Sequence, residues 1–192
     1  MQDYKVTIID FDDSFSHNIC SQLFSMGIDS ELKNFRNFNS SSSQVSKQVF
    51  ILGPGPGHPR DYPDVVKSIY GKNGIYIMGV CLGHQMILHF LGFKLLKKIS
   101  PTHGQSKIIT LPGWSEFETS KLKNRSMYVQ EYNSLFVSNE IIPSKIDIDL
   151  YSDKDEVIMA RNKFFISYQF HPESVGTSMP NVFFKNIADM VL

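Results

Sequence analysis

The sequence predicts an α/β fold with a mostly parallel central sheet, helices on both faces, and extra short strands in the C-terminal half. Three observations carry this. In the N-terminal half, apolar runs rich in β-branched residues alternate with stretches of helical periodicity, the pattern of strand–helix crossovers. One of those runs, IYIMGV at 75–80, is apolar throughout, as expected of a strand covered on both faces. The second half changes character: short strand-like runs follow one another, with a helical pattern only at the end.

Taken in order, KVTIID (5–10) reads as a buried strand ending in acidic and turn residues. DDSFSHNICSQLFSMG (12–27) reads as a helix, with Asp13 or Ser14 at its start and Gly27 past its end. Phe15, Ile19, Leu23 and Met26 mark its buried side. DSELKNF is a second strand, Ser-rich NFNSSSSQVSK (37–47) a loop, and QVFILG (48–53) a third strand. GPGPGHPRDYP follows as a loop, and a short helix runs through about 63–71. After IYIMGV, residues Leu82, Met86, Ile87, Phe90 and Leu91 share one helical face, and Gly92 closes it. The later strand candidates are SKIITL, SMYVQ, LFVS, IDIDLYS, EVIMAR and FFISYQF; NVFFKNIADMVL is a closing helix. We expect one domain, 1–192, because this length fits a single core and no repeat or linker stands out.

Composition excludes several classes. Lys plus Arg and Asp plus Glu number 19 each, so no charge excess points to nucleic acid or an anionic membrane. No apolar stretch approaches the roughly 20 residues that span a bilayer, and MQDYKVTIID is no signal peptide. The two cysteines, Cys20 and Cys81, form neither a disulfide framework nor a CxxC metal pair, which suits a reducing cytoplasm. Cys20 falls in a helical pattern and reads as core packing.

MGVCLGHQ (78–85) holds the chemistry. A cysteine between Gly79 and Gly83, after a strand and before a helix, is either a nucleophile elbow or a small hydrophobe at a tight turn. As an elbow, its glycines admit close backbone approach, as in the serine motif G-x-S-x-G. The thiol would emerge at the carboxyl edge of the sheet, where open α/β folds place their sites. Helix-start N–H groups would favour a thiolate over a thiol of ordinary pKa ~8.5. Acyl transfer also needs oxyanion donors: the N–H of Leu82 is one, and the GPGPG loop (53–57) is a candidate for the second. QFHPES (169–174) offers a base: Pro172 biases His171 to an extended conformation, which would put Glu173 on the same side to orient the ring.

GVCLGHQ, with GPGPG upstream and FHPES downstream, resembles the class I, or triad, glutamine amidotransferases. IIDFDDSFSHNI and EYNSLFV are similar to the amidotransferase components of anthranilate synthase and aminodeoxychorismate synthase, which serve tryptophan and folate biosynthesis. The resemblance implies a flavodoxin-like sheet and hydrolysis of L-glutamine by Cys81, His171 and Glu173. Gly55 and Leu82 would supply oxyanion N–H groups, and Pro56 and Gly57 complete a glutamine-contacting loop. Gln85 and the Ser134–Leu135 backbone would hold the amino-acid end. No cofactor or metal is implied. The implied partner is a chorismate-binding synthase subunit, docked over the edge carrying GPGPGHP, THGQ and EYNSL, that receives the ammonia. A different acceptor, or a non-catalytic regulatory subunit of the same fold, are the alternatives. Three residues depart from the family pattern: Asn133 stands for histidine, Gln105 for lysine and Gly53 for serine. His17 and His89 read as packing or surface, His84 as a local hydrogen-bonding residue, and His58 and His103 as loop residues. His84 and His89 are spaced too poorly for a metal site.

Overall fold

The structure, a computed structural model, describes residues 4–38, 47–118, 125–144 and 146–191. Most of the Ser-rich loop expected at 37–47 lies outside the described residues. The chain begins β1 (Tyr4–Asp10), α1 (Phe15–Ser25), β2 (Glu31–Asn34), β3 (Lys47–Leu52), α2 (Pro63–Ile69), β4 (Ile75–Val80) and α3 (Leu82–Phe90). This is the order read from the sequence. It continues β5 (Leu95–Lys97), β6 (Gln105–Thr110), α4 (Ser115–Glu118), β7 (Ser126–Glu131), β8 (Leu135–Val137), β9 (Asp149–Asp153), β10 (Glu156–Asn162), β11 (Phe165–Tyr168) and α5 (Asn181–Val191). β5 and the single turn of α4 had no sequence expectation, since three or four residues carry no period.

Seven strands form the main sheet in the order β2-β1-β3-β4-β11-β10-β9. The first five are mutually parallel, and β10 and β9 extend the edge antiparallel. β4 is therefore the central strand. Side chains alternate between two cores. Ile8, Val49, Ile51, Met78 and Val80 face α1 and α5, where Ile19, Leu23, Phe183 and Phe184 meet them. Ile9, Phe50, Leu52 and Ile77 face α2 and α3, against Val66, Ile69, Met86 and Ile87. This period-2 split is why the strands read as unbroken apolar runs. The remaining strands make two antiparallel ribbons, β5 with β8 and β6 with β7.

α1 starts as expected in place but not in chemistry. Ser14 occupies the cap position without a side-chain bond. Instead Asp13 Oδ1 accepts from Phe15 N (2.9 Å) and Asp10 Oδ1 from Asp13 N (3.1 Å). The end closes on Gly27 at φ 78°, with Gly27 N bonded to Phe24 O and Ile28 N to Leu23 O. Ile19 and Leu23 are fully buried, but Phe15 and Met26 are only half-buried. Phe15 turns from the core toward the site described next. Cys20 is half-buried against the core as expected.

Candidate active site

The central strand ends at Cys81, whose backbone sits at φ 52°, ψ −100°. Only glycine adopts such a conformation without strain, and the cost for another residue is about 1–3 kcal/mol. The fold imposes it. Cys81 N donates to Tyr168 O (2.9 Å) on β11, and Gln85 N closes the first helical turn onto Cys81 O (3.1 Å). The flanking glycines are required by contact. A Cβ on Gly83 would lie 2.1 Å from Leu52 O, and one on Gly79 would lie 2.7 Å from Ile87 Cδ1 and 2.8 Å from Gly83 C. So α3 is pressed against β3, and the thiol is carried out of the core with only 8% exposure.

The GPGPG loop comes to the same place. A Cβ on Gly55 would meet Phe11 Cβ at 2.5 Å and Leu82 Cδ2 at 2.8 Å. The N–H groups of Gly55 and Leu82 have no acceptor among the described residues. Two unspent donors thus flank the cysteine, as an oxyanion site needs. Gly57 turns at φ 87°, and the loop is fixed by Tyr62 OH donating to Pro56 O (3.2 Å) and His58 N donating to Asp61 Oδ2 (2.8 Å).

His171 arrives from beyond β11. Its Nδ1 is 2.8 Å from Glu173 Oε1, and both side chains are buried. The expected pairing is present, but by a different route. Residues 172–173 form a turn, closed by Ser174 N donating to His171 O (3.2 Å), rather than an extended strand. The loop must reverse there so that Thr177 Oγ1 can donate to His171 O (2.7 Å). His171 N bonds Gln130 O on β7 (2.9 Å). Phe15 and Tyr132 each meet the imidazole edge-on, at 4.9 Å between ring centres. Nε2 is buried without an aligned hydrogen-bond partner. Burial opposes charge on the ring. The Cys81 sulfur and then the Glu173 carboxylate outweigh it and push His171 up to about 10.

Gln85, Ser134 and Leu135, expected at the amino-acid end of the substrate, come together at one place. Gln85 is buried, and its Nε2 donates to Leu135 O (2.9 Å) and to Gln169 Oε1 (3.1 Å). Ser134 O already accepts from Lys98 N (2.9 Å), and Leu135 O accepts also from Asn133 Nδ2 (2.9 Å). Leu135 O thus accepts twice, whereas Ser134 O keeps one lone pair. Gln169, which sequence reasoning passed over, has its Nε2 3.8 Å from Cys81 Sγ. It stands just before the FHPES motif, and the position alone was the available signal.

Asn133 belongs to a buried polar cluster. It also donates to Glu156 Oε1 (3.1 Å), and Lys98 reaches Asn133, Glu131 and Glu156 at 3.1–3.3 Å. Burial, and then the nearby Glu131 carboxylate, hold Glu156 above the usual carboxylate range against the pull of Lys98 and Lys107. A neutral amide there adds no further charge. Gln105 opens β6 exposed to solvent, and a Cβ on Gly53 would lie 3.1 Å from the Ser16 hydroxyl. His84 is wholly buried, with Nδ1 2.9 Å from Ser167 Oγ and Nε2 3.0 Å from Val157 O. His58 caps a 3-10 turn and packs edge-on against half-buried His89; His17 and His103 are exposed.

A parallel sheet whose central strand delivers a cysteine elbow, with a histidine–carboxylate pair at the same edge, is the framework of an α/β enzyme. A family model described as glutamine amidotransferase class-I matches residues 7–190, and the chain belongs to that family. It is 32% identical to the bifunctional protein TrpGD of Thermotoga maritima over 97% of this chain, spanning 32% of that relative. It is 32% identical to anthranilate synthase component 2 of Cyanophora paradoxa, covering 94% of this chain and 96% of the relative. The identity is 30% to aminodeoxychorismate/anthranilate synthase component 2 of Bacillus subtilis, covering 96% and 95%. A solved GMP synthase protein of Thermoplasma acidophilum shares the fold, with TM-score 0.77 at 22% identity, covering 97% of this chain and 93% of that one. The protein is a glutamine amidotransferase.

Proposed function

We propose that residues 1–192 act as one glutaminase domain that supplies ammonia to a chorismate-using synthase subunit, for anthranilate or aminodeoxychorismate formation. The observation that carries the chemistry is the buried His171–Glu173 pair, 2.8 Å apart, with its free Nε2 turned from the carboxylate. His171 takes the proton of the Cys81 thiol as the sulfur attacks, and, pushed up to about 10, the imidazole keeps it at neutral pH. Attack on the side-chain amide carbon of glutamine places negative charge on its oxygen, facing the N–H groups of Gly55 and Leu82. His171 protonates the leaving nitrogen, and ammonia departs from a γ-glutamyl thioester. Water then gives a proton to His171 and its oxygen to the acyl carbon, releasing glutamate and restoring the sulfur. Glu173 holds the ring at Nδ1 throughout and stabilises it whenever it is an imidazolium. On this reading Pro56 and Gly57 complete the glutamine-contacting loop, and Gln85 with the Ser134–Leu135 backbone holds the amino-acid end of the substrate.

The chorismate partner is supported by the names of the relatives that match end to end. Two free cysteines suit a cytoplasmic setting. The test is glutamate release by the purified chain, alone and with chorismate plus each candidate synthase subunit. We expect weak release alone and a substantial rise with the right partner. Cys81→Ser should abolish glutamine-dependent synthesis while ammonia-dependent synthesis survives. Near-normal glutaminase in that variant would refute Cys81 as nucleophile; full activity alone, unchanged by either partner, would refute the coupling.

A further inference from the structure

We propose that Gln169 is a further active-site residue, whose side-chain amide donates a hydrogen bond to the Cys81 sulfur and is held in that orientation by Gln85 and the Leu135 carbonyl. The proposal rests on Cys81 being the nucleophile and adds a donor to the sulfur itself.

Strand register puts Gln169 there. β4 and β11 are parallel neighbours with Val80 opposite Tyr168. Cys81 and Gln169 are the next residue on each, so they leave the sheet side by side. Gln169 is fully buried and its N–H donates to Ile158 O (2.9 Å). The polarity of its amide is then forced. Leu135 O can only accept, so the Gln85 group facing it at 2.9 Å must be the NH2. The same NH2 faces Gln169 at 3.1 Å, so that Gln169 atom must be the oxygen. The Gln169 NH2 is left to face Cys81 Sγ at 3.8 Å, within reach of a large, diffuse sulfur acceptor. Turning Gln169 over would set donor against donor toward Gln85 and oxygen against sulfur at the other end. Gln85, Gln169 and Cys81 are buried, so water has little room to repair the mismatch.

A donor aimed at sulfur is worth most when the sulfur is an anion. Gln169 therefore favours the thiolate of the Cys81–His171 pair and limits the directions the sulfur can take. The charged and titratable groups facing that sulfur are His171 and, behind it, Glu173. Gln85 acts only through Gln169 and is a positioning residue in this chain of bonds.

The experiment compares the native chain with Gln169→Leu, which removes the donor, and Gln169→Glu, which puts a carboxylate oxygen against the sulfur. The rate of Cys81 alkylation by iodoacetamide is followed across pH, with glutaminase kcat and KM measured on the same samples. We expect the midpoint of the alkylation profile to move alkaline, by about one pH unit for Leu and further for Glu. We expect kcat to fall in the same order while KM changes by less than about threefold. A profile unmoved in a folded Gln169→Leu protein overturns the proposal. Should that variant not fold, Gln85→Leu replaces it: freeing the amide should shift the profile the same way by less, and no shift again overturns it. Labelling of native Cys81 by a diazoketone analogue of glutamine separates the two levels. A native protein left unlabelled defeats the glutaminase reading, whereas a labelled one with unmoved variants defeats only the role of Gln169.

Discussion

The two halves of the proposed Cys81–His171 pair are held by opposite means. Cys81 is held by backbone: a central strand, a tight helix start and two glycines pressed on their neighbours, all within residues 75–90 save for β3 and β11. His171 is held by side chains and bridges from distant elements: Phe15 from α1, Gln130 from β7, Tyr132 beyond it, and Thr177 downstream. Cys81 is thus placed by geometry that cannot yield, and His171 by a set of contacts that can be loosened one at a time. Substitutions at the first should fail abruptly, and at the second by degrees.

Gly83→Ala tests the first claim and should have the largest effect. The new methyl would stand 2.1 Å from a backbone oxygen, Leu52 O, at the carboxyl end of β3. Overpacking of this kind costs about 3 kcal/mol or more, a fall in Tm of roughly 6 °C or more for a chain of this size. Glutaminase should be lost with it. Gly27→Ala is the control: Gly27 has positive φ, which Gly83 does not, but nothing lies within 4 Å of the new methyl, so only about 1 kcal/mol of backbone strain is expected. Equal melting temperatures for the two variants would show that the elbow is not held by this contact.

Glu173→Gln comes next. The amide can still accept from Nδ1 but no longer balances the imidazolium charge. Turnover at saturating glutamine should fall by about 10–100-fold with the fold intact. The Glu173 carboxylate also helps raise His171, so the His171 ring titration followed by NMR should move down from about 10. Unchanged turnover would remove Glu173 from its assigned role. A smaller loss, severalfold, is expected of Thr177→Val, which strips the donor from His171 O and the acceptor from Gln130 N. Two buried backbone groups lose a partner at a cost of about 1–3 kcal/mol. Thr177→Ser should restore both stability and rate; if it does not, the hydroxyl is not what anchors the loop.

This contrast also accounts for what the sequence disclosed. The elbow is a local device, so glycines two residues either side of a cysteine, after an apolar run and before a helical face, announce it. The helical order of the first half is legible for the same reason. His171 and Glu173 were visible as a motif, but their path was misjudged, because the turn at 172–173 is dictated by Thr177 and Gln130 rather than by Pro172 alone. Phe15 carries the right period for a core residue and spends it on the imidazole instead. Gln169 and the Lys98–Glu131–Glu156–Asn133 cluster depend wholly on strand register and ribbon packing, which no spacing encodes.

The smallest effect sets His84 against His171, for the two buried histidines link stability to pH with opposite signs. His84 lies on α3 between Ser167 and Val157 O, and burial, only partly offset by that backbone carbonyl, lowers it to about 3. A neutral ring satisfies both contacts: Nε2–H donates to the carbonyl, and Nδ1 accepts from the hydroxyl. In the unfolded chain the ring titrates near 6.5. Between those values the unfolded state binds the extra proton, so the contribution of His84 is complete above about pH 6.5 and is lost as pH falls. His171 is raised, so its contribution is complete below about 6.5 and is lost as pH rises through about 10. At pH 6 the His84 deficit is only about 1 kcal/mol, growing toward about 1.4 kcal/mol for each further unit of acid. Urea unfolding of the native chain and of His84→Gln, measured from pH 8 to pH 5, isolates it. The glutamine has no proton to gain, so the variant, though less stable at pH 8, should lose less on acidification. Parallel curves for the two proteins would mean that His84 is already protonated in the folded state, and that the buried start of α3 tolerates a charge this packing should exclude.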